Sequence, residues 1–329
     1  MLSGNGASRL DTRVVISVVI PAHNESCVIG RLLTGLLADD HSDEFRVLVV
    51  ANGCSDDTAT IAAAFGPRVR VVSTAIAMKS HALRLSDEHA EHFPRLYVDA
   101  DVELDTGAAR ALAAALKEPG VLAVAPARVH TMDGRPLLVR WYYDIWERLP
   151  TVQHGLFGRG VFAVSEAGHR RLAAMPAAMS DDLIASVAFT DDERRVVAHA
   201  RVVVHPPRTL ASLVRTRTRA LTGTVQLQRQ APAAVAGART TGADLFGVVR
   251  ARPALAPRMA VFLAVTVLSR LRARRAVRSG DFTTWLRDDS TRGAPTGGAA
   301  NGGAATAEIP TQRREPSDVD SQVDPSGSG

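Results

Sequence analysis

The chain has 329 residues, 46% of them hydrophobic, with a formal net charge of +5. That is enough apolar material for one large core, or a core with an appended module, and it excludes a chain disordered throughout. Two cysteines, Cys27 and Cys54, are too few for a disulfide framework or a structural zinc site and read as reduced bystanders.

The opening MLSGNGASRL has no apolar h-region, so the expectation is a domain on the cytoplasmic side, with peripheral membrane attachment as an open alternative. The charge is uneven. From Arg201 to Gly280 there are 15 arginines and one acidic residue, Asp244, a balance suited to phosphate groups, nucleic acid or an anionic membrane surface. Lysine occurs only at 79 and 117, so base composition stands as an alternative source of this arginine richness and discounts the charge argument.

In chain order, the apolar run Val14 to Ile20 is broken only by Ser17 and ends at Pro21 and the polar loop Ala22 to Ser26. It reads as a strand buried on both faces. Ile29, Leu32, Leu33, Leu36 and Leu37 follow at helical spacing. A second strand, Arg46 to Ala51, runs into Asn52 to Asp57, where Asp56 or Asp57 can cap a helix through Ala64. Val69 to Ser73 is a third strand, Lys79 to Ala90 a third helix, and Arg95 to Val98 a fourth strand that delivers Asp99-Ala100-Asp101.

This rhythm implies an α/β, doubly wound, mainly parallel sheet flanked by helices. In such sheets ligands sit beyond the carboxyl ends of the strands, where the loops at 21 to 26, 52 to 57 and 99 to 101 converge. Val121 to Val129 and Arg195 to Val204 are further strand candidates, with the glycine loop Gly155 to Gly160 between them. A helix is expected from Thr209 to about Arg229.

Met259 to Leu268 is apolar over about ten residues, half of what a spanning helix requires. Arg270, Arg272, Arg274, Arg275 and Arg278 follow it. Two readings stand: an interfacial helix on anionic lipid, or a helix packed on the domain with solvated arginines. From Thr291 onward large apolar residues nearly vanish. The division is therefore a flexible N-terminus (1–13), a main domain (14–230), a basic, partly apolar helical extension (231–290) and a disordered tail (291–329).

Asp99 and Asp101 carry the first chemical inference. Two carboxylates at i and i+2 of an extended backbone lie on one side, where they can share a hard divalent cation and leave positions for phosphate oxygens. The bland alternative is a solvated turn. In context the segments resemble the family 2 glycosyltransferases of the GT-A fold. Val18 to Glu25 resembles the opening strand and nucleotide loop, Val49 to Thr58 the second strand and turn, Tyr97 to Asp101 the metal motif, and Ser180-Asp181-Asp182-Leu183 the acidic motif of the base. The resemblance covers about residues 14 to 230.

The resemblance implies an inverting, metal-dependent transfer of a sugar from a nucleoside-diphosphate donor to a saccharide, lipid-linked or small hydroxyl acceptor, in glycan, cell-envelope or glycolipid synthesis. Mg2+ or Mn2+ is the implied cofactor, with Asp101, Asp99 and His205 as its ligands. Pro21, Ala22, Asn24, Glu25, Asn52, Lys79 and Asp99 fall at donor-binding positions. Asn52 replaces an acidic residue common in the family, which leaves the nucleobase open. Asp182 matches the base, Asp181 remains a rival, and both can instead cap the helix beginning at Leu183.

Arg215, Arg217 and Arg219 resemble the arginine segment of processive members, without its glutamine and tryptophan. Arg217, Arg219 and Gly158 are read as acceptor or phosphate contacts, with His154 and Gly155 to Gly160 as an acceptor loop. Nucleotidyl transfer is a second hypothesis, although no Walker A pattern is present, and a non-catalytic nucleotide-binding, membrane-docking protein is a third. Nucleic acid is not expected as a partner.

Overall fold

The computed structural model describes residues 15–40, 43–175, 181–230 and 240–278, with only the backbone of Asp181 and Gln230. The expectations for 1–13 and 291–329 lie outside these residues, as do 231–239 and 279–290 of the expected helical extension.

Four parallel strands form the first half of the sheet: β1 (Ile16–Ala22), β2 (Phe45–Asn52), β3 (Val69–Thr74) and β4 (Arg95–Val98), in the order β3-β2-β1-β4. β1 is buried at every position but Pro21, as its unbroken apolar run requires. Helices α1 (Ile29–Leu37), α2 (Thr58–Ala63) and α3 (Lys79–His89) make the crossovers. α1 buries Ile29, Leu32, Leu33, Leu36 and Leu37 in the main core, the residues its helical spacing puts on one face. The chain passes from β3 back across β1 to β4, so the β1 and β4 loops flank the topological switch point.

The second half is mixed. It comprises β5 (Glu103–Leu104), α4 (Thr106–Ala115), β6 (Ala123–His130), α5 (Leu137–Trp146), α6 (Pro150–His154), β7 (Val161–Val164), α7 (Glu166–Ala173), α8 (Asp181–Val187) and β8 (Arg194–Val204). The sheet order continues β4-β7-β6-β8-β5. β7, four residues hidden behind the glycine loop in the sequence, runs antiparallel to β4 with Val98 opposite Val161. Antiparallel pairing brings the start of β7 to the carboxyl end of β4, and so carries the loop 155–160 to the switch-point edge. β6 and β8 run parallel to each other and end there too, with His130 opposite Val204.

Three helices complete the described chain: α9 (Leu210–Gln230), α10 (Gly242–Ala251) and α11 (Ala256–Arg278). α11 lies on α5 and α9. Phe262 stacks on Tyr142 with ring centroids 5.2 Å apart, and the Ser269 hydroxyl donates to the Val214 carbonyl at 3.5 Å. One face of α11 thus belongs to a second core with Leu213, Val214 and Tyr142.

Candidate functional site

The loops after β1 and β2 are stitched together by backbone donors. Asn24, at φ +52°, accepts from Ser55 N–H through Oδ1 at 2.7 Å. Glu25 N–H donates to Thr58 Oγ1 at 2.7 Å and Ser26 N–H to Asp56 Oδ2 at 3.1 Å. Asp56 also accepts from Thr58 N–H at 3.1 Å, so Asp56, and not Asp57, serves the start of α2. Burial raises the Asp56 pKa, but the hydrogen bonds from Thr58 and Ser26 outweigh it and hold the carboxyl at about 2. Cys54 bridges the same loops, its thiol 3.4 Å from the Ala22 carbonyl and 3.4 Å from Asn24 N–H.

Asn52 closes this half of the site. Its carbonyl lies 2.6 Å from His23 Nδ1, which must carry the proton because a carbonyl only accepts. Its side chain is 1% exposed, and Nδ2 has no hydrogen-bond partner among the described residues. A buried, unspent donor costs about 1–3 kcal/mol. A ligand acceptor would remove that cost. Pro21 and Ala22 form the end of β1 beside it, paired with Val50 and Ala51.

β4 stops at Val98, and Asp99 to Val102 form a turn closed by Val102 N–H on the Asp99 carbonyl at 3.5 Å. The extended backbone assumed for Asp99 and Asp101 is therefore absent, and the i, i+2 argument does not orient them. Lys79, at the first residue of α3, donates to Asp99 Oδ1 at 2.5 Å. Arg31 reaches the Asp101 carbonyl at 3.4 Å and Glu103 Oε1 at 3.2 Å. His205 contacts the same Glu103 oxygen through Nε2 at 2.7 Å, while its Nδ1 is 2.9 Å from Thr131 Oγ1. Glu103, which sequence reasoning passed over, is placed opposite Val203 by the β5–β8 pairing.

The glycine loop joins this turn to the acidic motif. Asp99 N–H donates to the Gly160 carbonyl at 2.7 Å, and Gly158 N–H donates to Asp182 Oδ2 at 2.8 Å. Both glycines have φ +66°; an added Cβ would stand 2.8 Å from Trp146 Cη2 at Gly158 and 2.5 Å from Val102 Cγ1 at Gly160. α8 begins at Asp181 rather than at Leu183, and Asp182 Oδ1 accepts from Leu183 N–H at 2.8 Å. Asp182 thus both serves the helix start and faces the loop. The Asp181 side chain lies outside the described residues.

Two arginines that no motif announced shape the loop. Arg159 is 3% exposed and donates to the carbonyls of Gly155, Pro126 and Gln153 at 3.1, 3.0 and 2.8 Å. Burial pushes its guanidinium down to about 9, which leaves it charged at neutral pH. Arg128 binds the Val152 carbonyl, sits 4.7 Å over the Trp146 ring and interacts electrostatically with Asp182. Burial lowers it to about 10.

Arg217 lies over the other part of this aromatic surface, 5.2 Å from Trp146 and 5.8 Å from Tyr142. On α9, residues two apart point to opposite sides, so Arg215 and Arg219 share a face and Arg217 does not join it. Arg215 instead donates to Ser212 Oγ at 2.9 Å. His154 is exposed at the end of α6.

Carboxylates, an imidazole and a loop braced by buried arginines thus meet at the switch-point edge of an α/β sheet. Residues 17–159, under half of the chain, match the model for glycosyl transferase family 2. No curated protein matches the chain in sequence. A mannosyltransferase from Pyrobaculum calidifontis, solved with GDP-Man and Mn2+, is similar at 21% identity over 82% of this chain and 79% of its own, with TM-score 0.54. A glucosyl-3-phosphoglycerate synthase from Mycobacterium tuberculosis, solved with Mn2+, UDP-Glc and phosphoglyceric acid, is similar at 20% identity over 66% of this chain and 80% of its own, with TM-score 0.50. These likenesses carry the α/β fold, the one implied by the GT-A resemblance.

Proposed function

We propose that the chain transfers a hexosyl group from a nucleoside-diphosphate donor to a hydroxyl acceptor, with inversion and with help from a divalent cation. One observation supports it most: the segment Gly158 to Gly160 hydrogen-bonds the Asp99 turn at one end and Asp182 at the other. A donor held at the turn and an acceptor hydroxyl at Asp182 would then meet across a single loop.

In this reading the loops at Pro21 to Glu25 and at Asn52 hold the nucleoside, and the spare Asn52 Nδ2 donor supplies a contact to it. Lys79 and Asp99 position the diphosphate. Asp182 accepts the proton of the acceptor hydroxyl; each of its oxygens already takes one backbone N–H and keeps a lone pair for that purpose. Displacement by that hydroxyl in one step inverts the anomeric carbon.

Asp99, Asp101, Glu103 and His205 are donors of the type that hard divalent cations accept. Among the described residues no three form a gathered set, since Asp99 engages Lys79 and Glu103 engages His205. We propose that Asp101 and Asp99 would hold the cation together with diphosphate oxygens, with His205 as a further ligand. When bound, the cation supplies charge neutralisation for the departing nucleoside diphosphate. The Mn2+ in both similar structures supports the same choice.

The test is transfer and donor hydrolysis over a panel of nucleotide sugars, with and without Mn2+ or Mg2+, for the parent, Asp101→Ala and Asp182→Asn. Cation-dependent turnover that fails in both variants supports the reading. Cation-independent turnover that survives both substitutions sinks it.

A further inference from the structure

Among the described residues, helix α11 leaves much of one face without a partner. It belongs to a 26-residue, largely apolar helical stretch, Pro253–Arg278, most of which is not buried among the described residues. Met259, Phe262, Val265, Ser269 and Ala273 face the second core. On the other side, Leu263, Val267 and Leu271 are 41, 53 and 49% exposed, and recur every four residues as one stripe. On neighbouring α10, Phe246 is 68% exposed.

The stripe is asymmetric along the helix. Its first three turns are apolar but for Arg258; its last two expose Arg270, Arg272, Arg274, Arg275 and Arg278. Between residues 245 and 278 the chain has eight arginines and no acidic residue. We propose that this face docks the enzyme on an anionic lipid bilayer, with Leu263, Val267 and Leu271 at the acyl boundary and the arginines on the headgroups. The proposal rests on none of the catalytic assignments.

Spanning is disfavoured by geometry. By length and composition alone the stretch Pro253–Arg278 could cross a bilayer, but one of its faces is packed into the second core. Crossing would also strip Phe262 from Tyr142 and break the Arg258–Asp144 ion pair of 2.9 Å at the helix start. The charge argues against a second copy as occupant. A self-complementary contact would bury arginines with no carboxylate from this segment to meet them. A bilayer with anionic headgroups supplies that countercharge.

Flotation of the full-length chain with vesicles of phosphatidylcholine, alone or with phosphatidylglycerol, tests this. Binding is expected only to the anionic vesicles, and should weaken as salt rises. The exposed-face variant Val267→Asp/Leu271→Asp should lose it. Arg270→Gln/Arg274→Gln/Arg275→Gln/Arg278→Gln should weaken it by about fivefold per arginine removed. Both variants change exposed side chains only, and their circular dichroism and melting should match the parent. Equal binding to neutral vesicles, or unchanged binding in both variants, overturns the proposal. So does a stable dimer by light scattering that binds no vesicles, which would assign the face to a second copy. Binding that appears only after residues 279–329 are removed would assign it to that segment and overturn it as well.

Discussion

The backbone N–H of Gly158 donates to Asp182 Oδ2 at 2.8 Å, across 24 residues of sequence. Two residues further on, the Gly160 carbonyl takes the Asp99 N–H. The proposed base and the proposed diphosphate turn are thus held by opposite ends of one three-residue segment, and a displacement of that segment moves both.

Gly158→Ala should expose this coupling. The new methyl would meet Trp146 Cη2 at 2.8 Å from a backbone at φ +66°, so the loop must shift. Turnover is expected to fall about 10²-fold, as for a modest misplacement of reacting groups. The dissociation constant for nucleoside diphosphate, measured by calorimetry, should change little. Equal losses in binding and turnover would show that the loop serves the donor alone.

Lys79→Met removes the cation that meets Asp99 Oδ1 at 2.5 Å. The expected outcome is a KM for donor raised about tenfold, with partial recovery in Lys79→Arg. Steady-state kinetics over a donor titration measures it. An unchanged KM would leave the lysine with a purely structural role.

Removing the cation with EDTA should abolish transfer, and Mn2+ or Mg2+ should restore it. Asp101→Ala is expected to shift the restoring concentration upward by about tenfold or more. Titration of Mn2+ by electron paramagnetic resonance checks the same point without turnover.

Asp56 gives a pH signature. Its folded carboxyl sits at about 2 against an ordinary 3.8, so its contribution to stability is complete above pH 4. That contribution is lost as pH falls from about 4 to about 2. Chemical denaturation should show the parent more stable than Asp56→Asn at neutral pH, with the difference narrowing over that interval.

Arg159→Met would leave the carbonyls of Gly155, Pro126 and Gln153 without their donor. The expected cost is about 2 kcal/mol or more, since buried acceptors lose charge-assisted hydrogen bonds. Urea unfolding measures it. Turnover should fall beyond the stability loss, because the same side chain anchors the loop that binds Asp182.

How much of this was legible in the chain follows from how local each signal is. The apolar runs that became β1, β2, β3 and β4, and the helical spacing from Ile29 to Leu37, are local patterns, so the first half of the sheet and its switch-point edge followed from sequence. The acidic turn at 99 to 101 and the motif at 181 to 182 were visible as residue types in order. β7 was not, because four apolar residues between a glycine loop and a helix have no period to read.

What tertiary structure decided is which groups meet. The antiparallel insertion of β7 beside β4 brought Gly160 to Asp99 and Gly158 to Asp182, and the β5–β8 pairing brought Glu103 to His205. Arg128 and Arg159 gained roles through burial against carbonyls distant in the chain, a role for which arginine has no sequence signature. The sequence alone determined that an edge of acidic and polar loops exists, because strand burial and loop polarity are written locally. Only folding determined the distances across it, because strand order and register depend on contacts between segments that the chain holds far apart.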